Sequence, residues 1–468
     1  MTQAKKQEVS KQELFEKVPV PKALMTLAVP TIISQLIHLV YNMVDAFFIG
    51  RTGNSYMMAA ASLSLTLMLM MISFSNLFGV GGGSLVARLI GAKKEEEARR
   101  VSAFSFYGAI LAAVSYSLLI GLFMDPIMRM LGASDATIGF ARQYALYVVV
   151  LGALPSILMN TIAHLLRNVG YAKQASFGLS GGGILNIILD PLFMFVILPD
   201  GMEVAGAALA TLISNVASCV YLLYAFRQAT KTAPLGIRPS DALKIGKENA
   251  KSLFAVGIPS AMLTALLDVS NVVLNALAAA HSDLVLAGIG IVMKVERVPN
   301  AINIGICQGM LPIVAYNYAS GNRERMKKTI DTARLYGLSI AAVSIVMFLI
   351  FAPGFTRIFL STGSDAQAAL ATLSFAALFL RIRCLAAPLQ FLNFHTSYCM
   401  QAMGNGRGTL IHSIVRQLAF YIPFMYILNA LFGYVGLTFA IVAGEGCGAL
   451  FALWLLRRYL KKVAKQNA

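Results

Sequence analysis

Charge is scarce in this chain. Only 13% of its residues are Asp, Glu, Lys or Arg, against about 25% in soluble domains, which excludes an ordinary water-soluble globular protein. Acids are scarcer than bases, 21 against 38. Cysteine is thin too: Cys219, Cys307, Cys384, Cys399 and Cys447 lie in apolar surroundings with no C-x-x-C spacing. That pattern excludes a disulfide framework and a thiolate metal site, and reads as small packing residues. His38, His164, His395 and His412 each stand alone, with no H-E-x-x-H, so they read as packing residues rather than metal ligands. No G-x-x-x-x-G-K-[ST] follows a strand, and no nucleotide-binding module is visible. The first 22 residues carry Lys5, Lys6, Lys11, Lys17 and Lys22 and lack an apolar core before a small-residue cleavage site. No cleavable signal peptide is expected.

What is present is apolar sequence. Residues of hydrophobic type make up 58% of the chain and the mean hydropathy is +0.72. Runs of about 20 apolar residues recur along the whole length, the signature of an all-α polytopic membrane protein. Twelve spans are expected, at 24–49, 57–87, 101–124, 137–165, 175–198, 204–226, 252–280, 284–318, 332–352, 366–402, 409–431 and 435–456. The net charge of +17 follows their alternation. Lys93, Lys94, Arg99, Arg100, Lys244, Lys247, Arg323, Lys327, Lys328, Arg457 and Lys461 fall on the side of the two termini, while the opposite loops hold only Arg51, Arg129 and Arg357. This positive-inside bias places both termini in the cytoplasm of a cell membrane protein. The basic excess is therefore topological and gives no reason to expect a nucleic-acid partner.

The two halves repeat weakly but in order. Ala28-Val29-Pro30 aligns with Gly257-Ile258-Pro259, "GGGSLVARLIGA" (81–92) with "GMLPIVAYNYAS" (309–320), and "DPLFMF" (190–195) with "IPFMYI" (422–427). Six spans per half leave both halves starting and ending on one side, so the repeats are parallel, as in many secondary transporters. The expected organisation is an N-terminal segment 1–23, an N-lobe 24–228, a basic loop 229–250, a C-lobe 251–458 and a tail 459–468. The glycine runs "GVGGG" (79–83) and "GLSGGG" (178–183) read as close helix approach. The methionine-rich "LMLMMI" (67–72) reads as packing or lipid-facing surface.

The repeat does not duplicate the membrane acids. Asp45 faces Leu274, Asp190 faces Ile422 and Asp268 faces Leu39. A carboxylate at membrane depth costs about 2.5–3.5 kcal/mol on insertion scales, so each needs a partner or a task. Asp45 lies six residues before Arg51, roughly 9 Å inside the outer end of span 1, and Asp190 nine before Pro199, roughly 13 Å inside span 5. Asn186 shares the face of Asp190, and Thr211 begins one turn inside span 6. Two carboxylates, an amide and a hydroxyl form an oxygen-rich cluster suited to a proton or a small hard cation such as Na⁺. No basic residue on spans 1, 5 or 6 neutralises it. In the C-lobe, Asp268 and Glu296 lie near mid-membrane beside Lys294, Arg297, Arg381, Arg383, Arg416 and Glu445. These acids read either as a structural ion-pair network or as a substrate or second coupling site, with Asp268 the one expected to face a cavity.

The sequence "LAVPTIISQLIHLVYNMVDAFFIGR", together with "GGGSLVARLIGA", "QGMLPIVAYNYASGN" and "NIILDPLFMF", resembles the multidrug and toxic compound extrusion (MATE) family, in its MepA-like and DinF-like bacterial branch. The resemblance covers roughly 24–458. It implies a twelve-helix, two-lobed carrier that exports cationic amphipathic compounds in exchange for H⁺ or Na⁺, working as a monomer, with no cofactor and no nucleotide. It carries the cation site onto Asp45, Asn186, Asp190 and Thr211, and the bending proline of the first helix onto Pro30. It also carries a span-7 acid of the NorM-like branch onto Asp268. That branch has a span-10 acid as well, but 388–404 holds none, and Asn393 and Gln390 are the nearest polar residues. The alternatives are a flippase for lipids or lipid-linked saccharides in the same superfamily and, remotely, a membrane enzyme, for which no nucleophile–base or metal constellation is visible.

Overall fold

The computed structural model describes residues 11–358 and 366–465, and within them the chain is helical with no strand. Ten helices are long and apolar enough to cross a membrane, and a pair bent by 45°, Ile138–Leu151 with Ala153–Asn168, makes an eleventh span. The last stretch, Gly406–Lys465, runs 60 residues. At 1.5 Å per residue a single helix of that length would be about three times a bilayer core. Gly433, at φ 59° and ψ −146°, breaks it in two, a backbone conformation that glycine adopts without strain. Twelve spans result. They are α1 (Val20–Arg51), α2 (Ser55–Gly91), α3 (Glu95–Leu122), α4 (the bent pair), α5 (Ala172–Ile197), α6 (Glu203–Ala229), α7 (Lys247–Ala279), α8 (Asp283–Ala319), α9 (Arg323–Arg357), α10 (Leu370–Ala402), α11 (406–432) and α12 (434–465).

Local sequence sets the helix ends and bends. The side chain of Asn54 accepts hydrogen bonds from the Tyr56 and Met57 amides and starts α2. Ser282 caps α8 and Asn322 caps α9 in the same way. Glu95, Glu96 and Glu97 open α3 against its helix dipole. The bend in α4 falls at Gly152, after a wide π turn over Leu146–Leu151, one of the recognised causes of a sharp kink. Several helices run past the apolar windows at the face that carries the termini. α9 begins at Arg323 and α12 continues to Lys465, because polar residues extend a helix once packing has nucleated it.

The glycine runs act as close-approach surfaces. A Cβ on Gly81 would meet the Leu253 carbonyl and the backbone of Gly257, and one on Gly257 would meet the Leu77 carbonyl. Gly305 and Gly309 of α8 likewise lie against Ile32 and Ala28 of α1. Among the described residues these contacts join the lobes in the half of the molecule nearest the termini. One apolar core there includes residues of both lobes, such as Val86, Leu166, Leu253, Met310 and Met403. In the opposite half, two separate cores appear, one around Ile49, Tyr144 and Met194 and the other around Leu274, Phe379 and Tyr421. The lobes therefore form a V, closed at the terminal face and parted at the far face. In "LMLMMI", Leu67 and Met71 are buried in packing while Met70 is exposed.

Two further segments reinforce the closed end. The short helix Lys11–Glu16, ahead of α1, docks on the other lobe: Phe15 stacks on Tyr316 at 5.5 Å, and the Arg325 guanidinium donates to the carbonyls of Leu14, Phe15 and Val18. The segment between α6 and α7 lies along α3, where the Gly236 amide donates to Ser102 (2.7 Å) and the Tyr107 hydroxyl to the Ile237 carbonyl (2.9 Å).

Candidate functional site

A cavity of about 300 Å³ lies where the lobes meet. Its wall takes Gln35, His38 and Tyr41 from α1, Asn160, His164 and Arg167 from α4, Asn186 from α5 and Thr211 from α6. The C-lobe adds Leu263, Thr264 and Leu267 from α7, Gln308 from α8 and Tyr398 from α10. Close approach of α1 and α5 shapes one side, since a Cβ on Gly183 would meet Ile37 and Tyr41.

The N-lobe acids sit just behind this wall. Asp190 is completely buried. The Asn186 side-chain amide donates to its Oδ1 at 2.9 Å and reaches Thr211 Oγ1 at 3.4 Å. Thr211 in turn donates to the Ala207 carbonyl at 3.0 Å, which fixes its rotamer. Three oxygens of this cluster are buried with no hydrogen-bond partner among the described residues: Asp190 Oδ2, Asn186 Oδ1 and Asp45 Oδ1. Asp45 stands within electrostatic reach of Asp190, and no cation is paired with either among the described residues. Tyr41 and Tyr144 lie within electrostatic reach of both acids; no sequence motif singles out either. Buried oxygens left unpaired are costly, and a proton or an oxygen-seeking cation is what such a cluster accommodates.

The three C-lobe candidates do not converge on one site. Glu296 is paired with Arg383 through two hydrogen-bonded arms of 3.1 and 2.9 Å. Asn393 donates to Glu445 at 2.6 Å and contacts His412 Nε2 at 2.9 Å, while Glu445 holds Arg416. Four of the mixed charges of this lobe thus form two buried ion pairs between helices, Glu296–Arg383 and Glu445–Arg416. Asp268 is half-buried and feels Arg297, but it forms no ion pair among the described residues. It is Leu263, Thr264 and Leu267 of α7 that line the cavity, not Asp268. Successive side chains of one helix point in different directions, and depth alone had not settled which of them turns inward.

Pro30 lies within α1 without breaking it. Its ring leaves the Thr26 carbonyl without the usual N–H donor, at the stretch where Ala28 and Ile32 touch the glycines of α8. His38 and His164 are cavity residues, whereas His395 contacts the Ile330 carbonyl (2.9 Å) and His412 contacts Ser397 (2.9 Å) inside the packing. The sequence had offered the same packing role for all four. Arg167 lies beyond the expected end of span 4 at 165; the helix runs on to Asn168 and carries it to the cavity.

The signature of the MatE family matches residues 30–192 and again 259–427, one match in each half. The chain is similar to the multidrug export protein MepA of Staphylococcus aureus (strain N315), with 33% identity over 443 residues, 94% of each chain. Its fold is similar to that of a MATE solved in complex with MaL6, with a TM-score of 0.90 and 24% identity over 97% of this chain and 99% of that one. It is also similar to the outward-facing conformation of a multidrug resistance MATE family transporter of the MOP superfamily, with a TM-score of 0.89 and 24% identity over 97% and 98% of the two chains.

Proposed function

Because the chain belongs to the MatE family, we propose that it is a secondary active multidrug exporter of the cell membrane, moving cationic amphipathic compounds outward in exchange for H⁺ or Na⁺. Members of this family are transporters, not enzymes, and the chain is a multi-pass membrane protein. Both termini lie in the cytoplasm by the positive-inside rule, so the V opens outward. One chain suffices, since both lobes and the cavity between them come from a single sequence.

The observation that carries the reading is the acid cluster: a fully buried Asp190 whose Oδ2, like an oxygen of Asp45 and one of Asn186, has no hydrogen-bond partner, with no basic partner among the described residues. In the outward-open state this cluster takes up a proton or Na⁺ from outside. Neutralising the pair removes repulsion between α1 and α5 and favours release of cargo from the adjoining wall. The closing of the far face and the opening of the terminal face then carry the ion inward. The membrane potential contributes about 2.3 kcal/mol per charge per 100 mV to that step. Pro30, where α1 meets α8, is the place at which α1 bends during the exchange.

The test is efflux of a fluorescent lipophilic cation from proteoliposomes with pH and Na⁺ gradients imposed separately, for wild type, Asp45→Asn and Asp190→Asn. Wild type should respond to one gradient, and each variant should fold normally and lose that response. Gradient-driven efflux retained in both variants would sink the assignment. A second reading is a flippase for lipid-linked saccharides, favoured by one feature, the unpaired Arg167 on the cavity wall. Folded wild type inert under both gradients would favour it.

A further inference from the structure

A cavity suited to cations holds, at its closed end, a cation of its own. Arg167 is 5% exposed, and its Nε is buried without a hydrogen-bond partner. No acid is paired with it among the described residues. It stands in the last turn of α4, whose side chains lean toward the helix N-terminus and hence up into the cavity. Its neighbours on the wall are neutral donors and acceptors from both lobes: His164 one turn earlier, Tyr398 of α10, and Gln308 of α8, which accepts from Gln35 at 3.5 Å. The site is held firmly, because a Cβ on Gly79 or Gly83 of α2 would run into His164 or Asn168.

The acids are far from this point. Asn186 and Asp190 lie 14 and 18 residues along α5 from Ala172, roughly 21 and 27 Å from the terminal-face end of that helix, whereas Arg167 is one residue from the end of α4. The charge around the cavity is therefore dipolar along the membrane normal, with the acids behind the wall toward the opening and Arg167 on the wall at the floor. A helix C-terminus does attract a cation. An arginine placed only to serve it would be expected to donate to the last-turn carbonyls, and Arg167 Nε donates to none among the described residues. A planar guanidinium facing an enclosed, partly polar space matches a carboxylate, which it grips with two parallel hydrogen bonds.

We propose that the cavity floor around Arg167 is an anion subsite that receives the carboxylate of zwitterionic amphipathic cargo, whose cationic end points toward the Asp190 cluster. The proposal rests on the export reading above and narrows its substrate class. Gln308 and Tyr398 flank the carboxylate from the C-lobe, so bound cargo bridges the two lobes at the joint that must open.

The test uses the full-length purified protein and two xanthylium dyes that differ only in a free benzoate (zwitterion) or its ethyl ester (cation), with binding read by fluorescence anisotropy. Wild type should bind the acid at least as tightly as the ester. Arg167→Gln should weaken the acid about ten-fold or more, the loss expected for a charge-assisted contact, and not weaken the ester, whose cationic charge it relieves of a like neighbour. Should Arg167→Gln fail to fold, Arg167→Lys keeps the charge but loses the fork, and a selective loss for the acid is again expected. Equal effects on both dyes, or none, overturn the subsite and leave cation export standing. Wild type that binds the ester but not the acid does the same. Wild type that binds neither dye overturns both readings.

Discussion

Removing one member of the Arg416–Glu445 pair should unfold the C-lobe far more readily than removing both. Arg416 and Glu445 side chains are 1% and 3% exposed. The guanidinium meets both carboxylate oxygens, Nε to Oε2 at 2.9 Å and Nη2 to Oε1 at 2.7 Å, and lies 4.8 Å from the centre of the Phe394 ring. Breaking such a pair leaves an uncompensated buried charge and costs about 3–5 kcal/mol, whereas replacing both partners with apolar residues of similar volume is often neutral or stabilising. The structure favours the second outcome here. Arg416 Nη1 is already buried without a partner, and Asn393 keeps the carbonyls of Leu389 and Glu445 as acceptors when the carboxylate goes. Arg416→Met and Glu445→Met should therefore each lower stability in an SDS titration in mixed micelles by about 3–5 kcal/mol. The double variant should lie near wild type, giving a coupling energy larger than either residual change. It should also retain gradient-driven efflux, since the pair lies off the cavity wall. Additive single effects would refute the argument from desolvation. A stable double variant that no longer transports would place the pair in the transport cycle.

At the lobe junction, Gly257→Ala would push a Cβ into the Leu77 carbonyl. Overpacking of this kind costs about 1–3 kcal/mol, enough to move a two-state equilibrium several-fold away from the form closed at the terminal face. A cysteine placed at the buried Ser84 should then react faster with an impermeant maleimide applied from the terminal face, and unchanged labelling would count against a junction that tight. Outside the membrane, Glu97 accepts from the Asn249 side chain at 2.8 Å and pairs with Lys94. Those donors, Asn249 first, hold its carboxyl below the ordinary carboxylate value of 4.5. A depressed folded value means the tether between the start of α3 and the start of α7 is intact at neutral pH and weakens only as the pH falls below 4.5. Hydrogen exchange at 245–250 should rise in that range for wild type and be insensitive to it in Glu97→Gln; a rise already at pH 6 would contradict the sign.

Much of the fold was legible because lipid imposes a simple rule. Every backbone polar group must be satisfied within its own helix, so apolar length translates into spans. The alternation of Lys and Arg likewise fixed which ends face the same side. The N-lobe cluster was legible for a related reason: Asp45, Asn186, Asp190 and Thr211 are polar residues at matched depths in apolar helices, and depth is a one-dimensional quantity. The C-lobe was not, because Asp268 and Glu296 are also matched in depth, yet their side chains, like that of Asn393, point into different neighbours. Which of them meets Arg383, which meets Glu445 and which stands beside Arg297 depends on rotation about each helix axis. The helical windows of this chain are too uniformly apolar to reveal it.

What the sequence by itself determined is the number of spans, the weak parallel repeat and the presence of unduplicated acids. Hydropathy and charge are properties of the chain that a bilayer reads directly. Only the tertiary structure decided that the lobes join at the terminal face and part at the far face, since that depends on glycine surfaces such as Gly81 and Gly257 meeting across lobes. It also decided that the C-lobe charges pair with each other, and that Arg167 and His164, unremarkable in sequence, share a cavity wall with Asn186 and Thr211. Those facts come from helix rotation and close packing between segments far apart in the chain, which no local pattern of residues encodes.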